Sequence, residues 1–247
     1  MTGHSRPDAY GDAWAAVYDE EHAHLADVGE TVDRIVELSA GGPVLEFGVG
    51  TGRIAIALAA HGLHVVGVDA SEKMLDQLHA KDRGEDPAIQ TVLGDMAEVR
   101  LEQRFALVLL AFNTLFNLTS QDAQVACVRN AADHLLPGGR LVVEAFVPDP
   151  ARFDDGQAVR AERVEHTSAH LSIERHDPTT QRVDSGHLRV GPAGVQLLPV
   201  SIRYVWPSEL DLMARLAGLV REHRWGGWDR SPYTAASTSH VSVYRAP

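Results

Sequence analysis

Cysteine is nearly absent from this sequence: Cys127 is the only one in 247 residues. An internal disulfide is excluded, and the reducing cytoplasm is the expected compartment. Positive charge is also scarce. Lys and Arg number 22 against 34 Asp and Glu, which leaves −12 with His neutral. Such a surface opposes non-specific attraction to phosphate backbones and anionic lipid. No apolar run approaches the roughly 20 residues of a membrane-spanning helix. The opening MTGHSRPDAYGDAW has no apolar signal core either. The expectation is a protein neither secreted nor membrane-spanning, with no nucleic acid or membrane as partner. What is present in excess is histidine, thirteen in all.

The first half alternates two apolar rhythms separated by Gly, Pro and Asp, the pattern of strands joined by helices on a parallel sheet. Strands are expected at 44–47, 63–69, 89–93, 105–112 and 140–146, with helices at 53–61, 72–80 and 121–135. Ser71 is placed to cap the second of these helices. After Pro148 the helical period disappears. Segments 170–176, 183–190 and 195–205 read as antiparallel strands joined at Asp177-Pro178 and at 191–194, followed by a helix from Pro207 and closing strands at 219–225 and 239–245. The fold class is α/β: a Rossmann-like, doubly wound, mostly parallel seven-stranded sheet with an antiparallel β insertion after the fifth strand.

Glu46-Phe47-Gly48-Val49-Gly50-Thr51-Gly52 follows a strand and precedes a helix, so its glycines allow a tight turn and close backbone approach to a ligand. Dinucleotide loops want G-x-G-x-x-G aimed at a pyrophosphate, whereas this is G-x-G-x-G preceded by a carboxylate that would repel one. Glu46 suits a cation, such as a ligand carrying an ammonium group. Asp69 stands 21 residues beyond Gly48 at the end of the second strand, where an acid can take both hydroxyls of a ribose. An unpaired buried hydroxyl costs about 1–3 kcal/mol, so such an acceptor selects strongly for a nucleoside. Gly94-Asp95-Met96 ends the third strand, with Asp95 available to an exocyclic amine and Met96 to a purine face.

In order and spacing these elements, with 107–112 and Leu136-Pro137-Gly138-Gly139-Arg140-Leu141, resemble the class I S-adenosylmethionine-dependent methyltransferase family over most of the chain. The resemblance implies S-adenosylmethionine as cofactor and S-adenosylhomocysteine as product. It places the methionine part at Glu46, Gly48, Gly50 and Gly52 with Arg53 and Tyr18, the ribose at Asp69 and Ala70, the adenine at Asp95 and Met96, and the methyl donor beside Ala111-Phe112-Asn113. Tyr18-Asp19-Glu20 and the extended region after Pro148 resemble the subgroup that methylates sugars and other small natural products. On that basis residues 1–40 form an N-terminal helical lid carrying Tyr10, Trp14 and Tyr18, residues 41–148 and 206–247 the cofactor domain, and residues 149–205 an insertion that forms the acceptor site or pairs two copies in a homodimer. Tyr10, Trp14 and Tyr18 equally suit the buried face of an amphipathic helix, and Asp19-Glu20-Glu21 reads as a solvated face.

The expected reaction moves a methyl group to an O or N nucleophile of a small molecule, a displacement in which positioning supplies roughly 7–11 kcal/mol. Asn113, Phe116 and Asn117 should face the transferred methyl, although amino-sugar N-methyltransferases lead one to look for histidine near position 117. A base can come from His22, His24, His166, His170, His176 or His187; His166 and His170, with Asn117, are the residues assigned to catalysis. Neither His22-x-His24 nor His166-x-x-x-His170 has a third ligand cluster, so no metal is expected. Trp225, Trp228 and Tyr233 suit an acceptor pocket or the packing of the last hairpin. Cys127 reads as a buried structural thiol. Carboxyl, carbon and protein acceptors stay open on the same fold, as do an NAD-dependent oxidoreductase and a cofactor-binding protein that transfers nothing.

Overall fold

The computed structural model describes residues 6–23, 28–82, 89–192 and 194–247. His24 lies outside them. Among the described residues eleven strands form two sheets. The larger has the order β10-β11-β5-β4-β1-β2-β3, built from β1 (Val44–Phe47), β2 (Val65–Asp69), β3 (Gln90–Leu93), β4 (Phe105–Leu110), β5 (Leu135–Phe146), β10 (Val220–Trp225) and β11 (Ser239–Arg245). Only β11 runs against its neighbours. This is the expected α/β architecture.

Parallel strands covered on both faces need apolar side chains in both directions, and the sequence supplies them. On one face Leu45, Phe47, Val68, Val108, Leu110 and Val143 pack with Val128 and Ala131 of α6 (Gln121–Asp133) and Leu210 and Met213 of α7 (Pro207–Leu216). On the other, Val44, Val65, Leu107, Leu109 and Val142 meet Ile54 and Leu58 of α4 (Arg53–Ala60) and Leu75 and Leu78 of α5 (Glu72–Lys81). Ser71 caps α5, its hydroxyl accepting from Met74 N–H.

The N-terminal forty residues divide in two. Val32, Ile35 and Leu38 of α3 (Gly29–Ser39) belong to the core under the sheet. Only α1 (Ala9–Trp14) and α2 (Tyr18–Glu21) lie elsewhere, over the carboxyl ends of the strands, where Trp14 packs with Met74 of α5 and Leu198 of the insertion.

The insertion is a four-stranded antiparallel meander of β6 (Gln157–Val164), β7 (Ala169–Asp177), β8 (Arg182–Gly191) and β9 (Gly194–Arg203). Strand β6 was not anticipated. It is an edge strand rich in charged residues and largely exposed, so it carries no apolar alternation to read. Buried Arg203 fixes the base of the sheet, donating to Gln124 of α6 at 2.5 Å and pairing with Glu209 of α7 at 2.8 Å. On β7, His176 is buried, stacked on Phe153 and 3.1 Å from the Tyr204 hydroxyl. It belongs to this packing.

Leu109 is fully buried and pairs in register with Glu46, so the core and the ligand-facing end meet there. Leu109→Ala should cost about 2–5 kcal/mol. In urea the midpoint should fall by roughly 1–2 M with an unchanged slope; a midpoint within about 0.3 M of the parent would contradict this packing.

Candidate active site

A cavity of about 390 Å³ opens at the carboxyl ends of β1, β2, β3 and β4, between the sheet, the α1–α2 segment and the inner face of the insertion. Open α/β sheets bind ligands at this position. Tyr10, Trp14, Tyr18, Glu46, Gly48, Gly50, Arg53, Asp69, Ala70, Asp95, Met96, Ala111, Asn113 and Asn117 all line it. Of the cofactor residues expected from the sequence only Gly52 does not. Gly52 has φ +83° as the cap of α4, and a Cβ there would lie 2.7 Å from Leu78, so its role is to let the helix start. Gly48 is different: at φ +67° it faces the cavity, and a Cβ would collide with Thr114 at 2.5 Å.

Glu46 is buried, and its Oε2 has no hydrogen-bond partner. Burial pushes its carboxyl up to about 8, with Asp69 adding to the rise and Arg53 opposing it. Holding this group ionised without a partner costs on the order of 4 kcal/mol, so the site is built for something cationic. Asp69 is also raised by burial, against the pull of the backbone amides it holds. Its oxygens accept from Gly50 N–H at 2.8 Å and Ser71 N–H at 2.9 Å. The acid at the end of β2 therefore shapes the glycine loop as well as facing the cavity. Asp95 accepts from Ala97 N–H at 2.8 Å.

After β4 the chain passes through two left-handed non-glycine residues, Phe112 (φ 46°) and Asn113 (φ 63°). Each such residue costs of order 1–3 kcal/mol unless its surroundings hold it. Glu144 on β5 is the clamp that sequence reasoning missed. Its Oε2 accepts from Phe112 N–H at 2.8 Å and its Oε1 from the Trp228 indole at 2.9 Å, while Asn113 Oδ1 accepts from Phe146 N–H at 2.7 Å. The Phe112 ring is held in turn, with Arg53 over one face and the His22 ring edge-on. Trp228 thus supports the site from behind, and neither it, Trp225 nor Tyr233 lines the cavity. Phe116 is buried against Phe146, and the half-buried Thr114 and Asn117 are the polar groups of that turn that line the cavity.

The α1–α2 segment is tied on both sides. Asp12 accepts from the Ser71 hydroxyl at 2.8 Å, and Asp19 accepts from the Thr51 hydroxyl at 2.6 Å and pairs with Lys81 at 2.7 Å. Toward the insertion, Glu20 and Glu21 each hold Arg189 at 3.0 Å, and Trp14 donates to the Pro199 carbonyl at 3.2 Å. Asp19-Glu20-Glu21 is therefore a latch and not a merely solvated face. Tyr10 stacks on Trp14 and Tyr18 on His22; burial raises both phenols, Tyr18 to about 12. Buried side of a helix and wall of the cavity turn out to be the same surface.

The histidines separate clearly. His166 is exposed in the turn between β6 and β7, and His170 pairs with Glu21 at 3.4 Å in the latch; neither lines the cavity. His22 and His187 do. No sequence signal distinguished them, because inner and outer faces of the meander depend on its register. Cys127 is buried in α6 with its thiol pushed up by burial. Among the described residues no group of three His, Cys, Asp or Glu could hold a metal ion, and no helix is long and apolar enough to cross a membrane.

The sheet order, the glycine turn and acids at three strand ends define a class I S-adenosylmethionine-dependent methyltransferase. Comparison with known proteins agrees. The methyltransferase-domain family matches residues 44–139. The chain is 32% identical over 221 residues to the cypemycin N-terminal methyltransferase of a Streptomyces species, covering 82% of each. It is 29% identical over 212 residues to the dTDP-3-amino-3,4,6-trideoxy-alpha-D-glucopyranose N,N-dimethyltransferase of Streptomyces venezuelae, covering 83% of this chain and 86% of that protein. The structure of the CcbJ methyltransferase from Streptomyces caelestis superposes with a TM-score of 0.92 at 41% identity, over 98% of this chain and 99% of that one. The chain belongs to this methyltransferase family, in its small-molecule subgroup, and uses S-adenosylmethionine.

The orphan Oε2 fits the cofactor's amino group. An acid raised by burial is protonated below about pH 8, and pairing with a cation restores its ionised form. S-adenosylhomocysteine binding near pH 7 should accordingly release close to one proton, and Glu46→Gln should abolish the release. Calorimetry in phosphate and in Tris, which differ in ionisation heat, reads it directly. Equal heats in both buffers would contradict the assignment.

Proposed function

We propose that this enzyme transfers the methyl group of S-adenosylmethionine to an O or N nucleophile of a small molecule in natural-product metabolism. The carrying observation is the buried Oε2 of Glu46, without a hydrogen-bond partner, in a cavity lined also by Glu174, Ser185 and His187 of the insertion. Bound S-adenosylmethionine supplies a methyl carbon already activated by its sulfonium. Glu46 and the backbone at Gly48 and Gly50 hold the methionine part, Asp69 and Ala70 the ribose, and Asp95 and Met96 the adenine. Tyr10, Tyr18 and Arg53 cover the site and exclude water. Phe112 and Asn113, fixed by Glu144, border the acceptor together with Asn117. Nitrogen is favoured over oxygen because the two curated relatives are named as an N-terminal and an N,N-dimethyl transferase. In the displacement itself the protein's work is placement, since the methyl carbon is already activated and the nucleophile must lie in line with it.

Asp69→Ala should weaken S-adenosylhomocysteine binding by at least about 100-fold, since two ribose hydroxyls lose their acceptor and Gly50 loses its anchor. Calorimetry on the variant, with its far-ultraviolet circular dichroism matched to the parent, tests this. Unchanged affinity in a folded variant would refute the ribose role.

The outer face of the insertion supports a homodimer. Alternation along the meander puts Val159, Ile173 and Pro199 in one row and Ala161, Leu171, Leu188 and Leu197 in the next. Val159, Val164, Ile173, Val195 and Leu197 are strongly exposed. Four strands of this length present roughly 500–600 Å², and two such faces reach the ~1,000 Å² that a specific interface needs. A second copy of the chain, meeting the same face by a two-fold axis, is the occupant we assign. Light scattering at tens of micromolar should give twice the chain mass, and Ile173→Glu with Leu197→Glu should give the monomer. A monomeric parent would overturn the pairing.

A further inference from the structure

Within the cavity the groups contributed by the insertion are not neutral scaffolding. The inner face of β7 and β8 presents Glu174, Ser185 and His187, and Arg152 joins them from the turn after β5. Glu174 is nearly buried and pairs with Arg152 at 2.7 Å. The His187 ring stands edge-on to Trp14, and its Nδ1 lies 3.3 Å from the Glu162 carboxylate at the bulge of β6. A carboxylate accepts and cannot donate, so this contact places a proton on Nδ1 and leaves Nε2 of the neutral ring with its lone pair. His22, the other histidine of the cavity, gives its Nδ1 to the Tyr18 carbonyl at 2.9 Å and lies flat on the Tyr18 ring; it forms a wall. In the meander register His187 shares a row with Arg160 on β6, while His170 and Glu174 on β7 and Arg189 on β8 lie one step along the same face. Glu162 reaches the His187 ring, and Glu20 and Glu21 on α2 reach that face at Arg189. Arg189 is neutralised by the two glutamates and Arg152 by Glu174.

We propose that the acceptor is a basic amine that enters as its ammonium ion, that Glu174, steadied by Arg152, receives that cation, and that His187, oriented by Glu162, is the base that frees its lone pair. The inference rests on the methyl-transfer reading of the cavity and names its substrate class. The step balances. The ammonium N–H proton passes to His187 Nε2, giving imidazolium and neutral amine. The nitrogen lone pair then forms the C–N bond as the C–S bond breaks, with its electron pair going to sulfur. The products are S-adenosylhomocysteine and the methylated ammonium ion, and the proton on His187 leaves to solvent. Asn117 has no proton-accepting nitrogen, so the base enters from the insertion and not from the turn after β4. Glu162 reaches His187 but does not line the cavity, and is a positioning residue.

The test uses the full chain with S-adenosylmethionine and a panel of amino sugars and hydroxylated cyclic secondary amines, alongside the matching compounds with hydroxyl in place of nitrogen. Amines should turn over, and the hydroxyl-only compounds should not. His187→Ala should lower kcat by about 10²–10⁴, with partial recovery in tens of millimolar imidazole, which no purely structural defect would show. Glu162→Gln should lower kcat about tenfold with KM within about twofold, and Glu174→Gln should raise KM for the amine at least tenfold. In all three variants the calorimetric affinity for S-adenosylhomocysteine should match the parent. Equal turnover of hydroxyl-only compounds, no turnover of any amine by protein that binds S-adenosylhomocysteine, or a His187→Ala enzyme at parental rate would each overturn the proposal. So would loss of activity in His22→Gln that imidazole restores, with His187→Ala unaffected. Failure of the parent to bind S-adenosylhomocysteine would instead sink the underlying methyl-transfer reading.

Discussion

Burying a carboxylate oxygen without a partner is among the least favourable things a fold can do, and this protein does it with Glu46 Oε2 at the end of β1. Glu46 sits between Leu109 and Gly67 in the sheet register, where no described protein group hydrogen-bonds its Oε2. The surroundings follow from that constraint. The glycine turn leaves room beside it, Arg53 partly offsets its charge, and Asp69 draws the loop into place through Gly50. A free protein that holds this group protonated and a bound one that holds it ionised differ in charge at one atom, and that difference is what the ligand must supply.

The second constraint is placement of the chain after β4. Two left-handed residues persist there because Glu144 and Phe146 on β5 accept and donate the hydrogen bonds that define the turn. The α1–α2 segment is held from both sides at once: Asp12 and Asp19 tie it to Ser71 and to Lys81 of α5, Glu20 and Glu21 to Arg189 of β8. Latch and wall are the same short segment, since Glu20 and Glu21 tie it to β8 while Tyr10, Trp14 and Tyr18 line the cavity.

Much of this was legible in the amino-acid order. Residues 44–69 announce strand, turn, helix and strand through Val-Leu-Glu-Phe, three glycines and an apolar run ending in Asp69, and all of these fall where expected. The helices of the first half, the glycine turn and the acids at strand ends were equally plain, because local periodicity and backbone geometry carry them. What local pattern does not carry was missed. The edge strand β6 has charges where alternation should be. Glu144 looks like any polar residue in a strand, and its role is set by Phe112 and Trp228 from distant parts of the chain. The histidines could not be ranked, since one residue of register decides which face of the meander points inward; His187 faces the cavity and His166 does not.

The most direct measurement is a crystal structure of the chain with S-adenosylhomocysteine. The account predicts the amino nitrogen within hydrogen-bond distance of Glu46 Oε2, the ribose hydroxyls on Asp69, and the sulfur facing the chamber that holds Asn117, Glu174 and His187. An S-adenosylhomocysteine bound elsewhere, or bound with Glu46 Oε2 still lacking a partner, would contradict it.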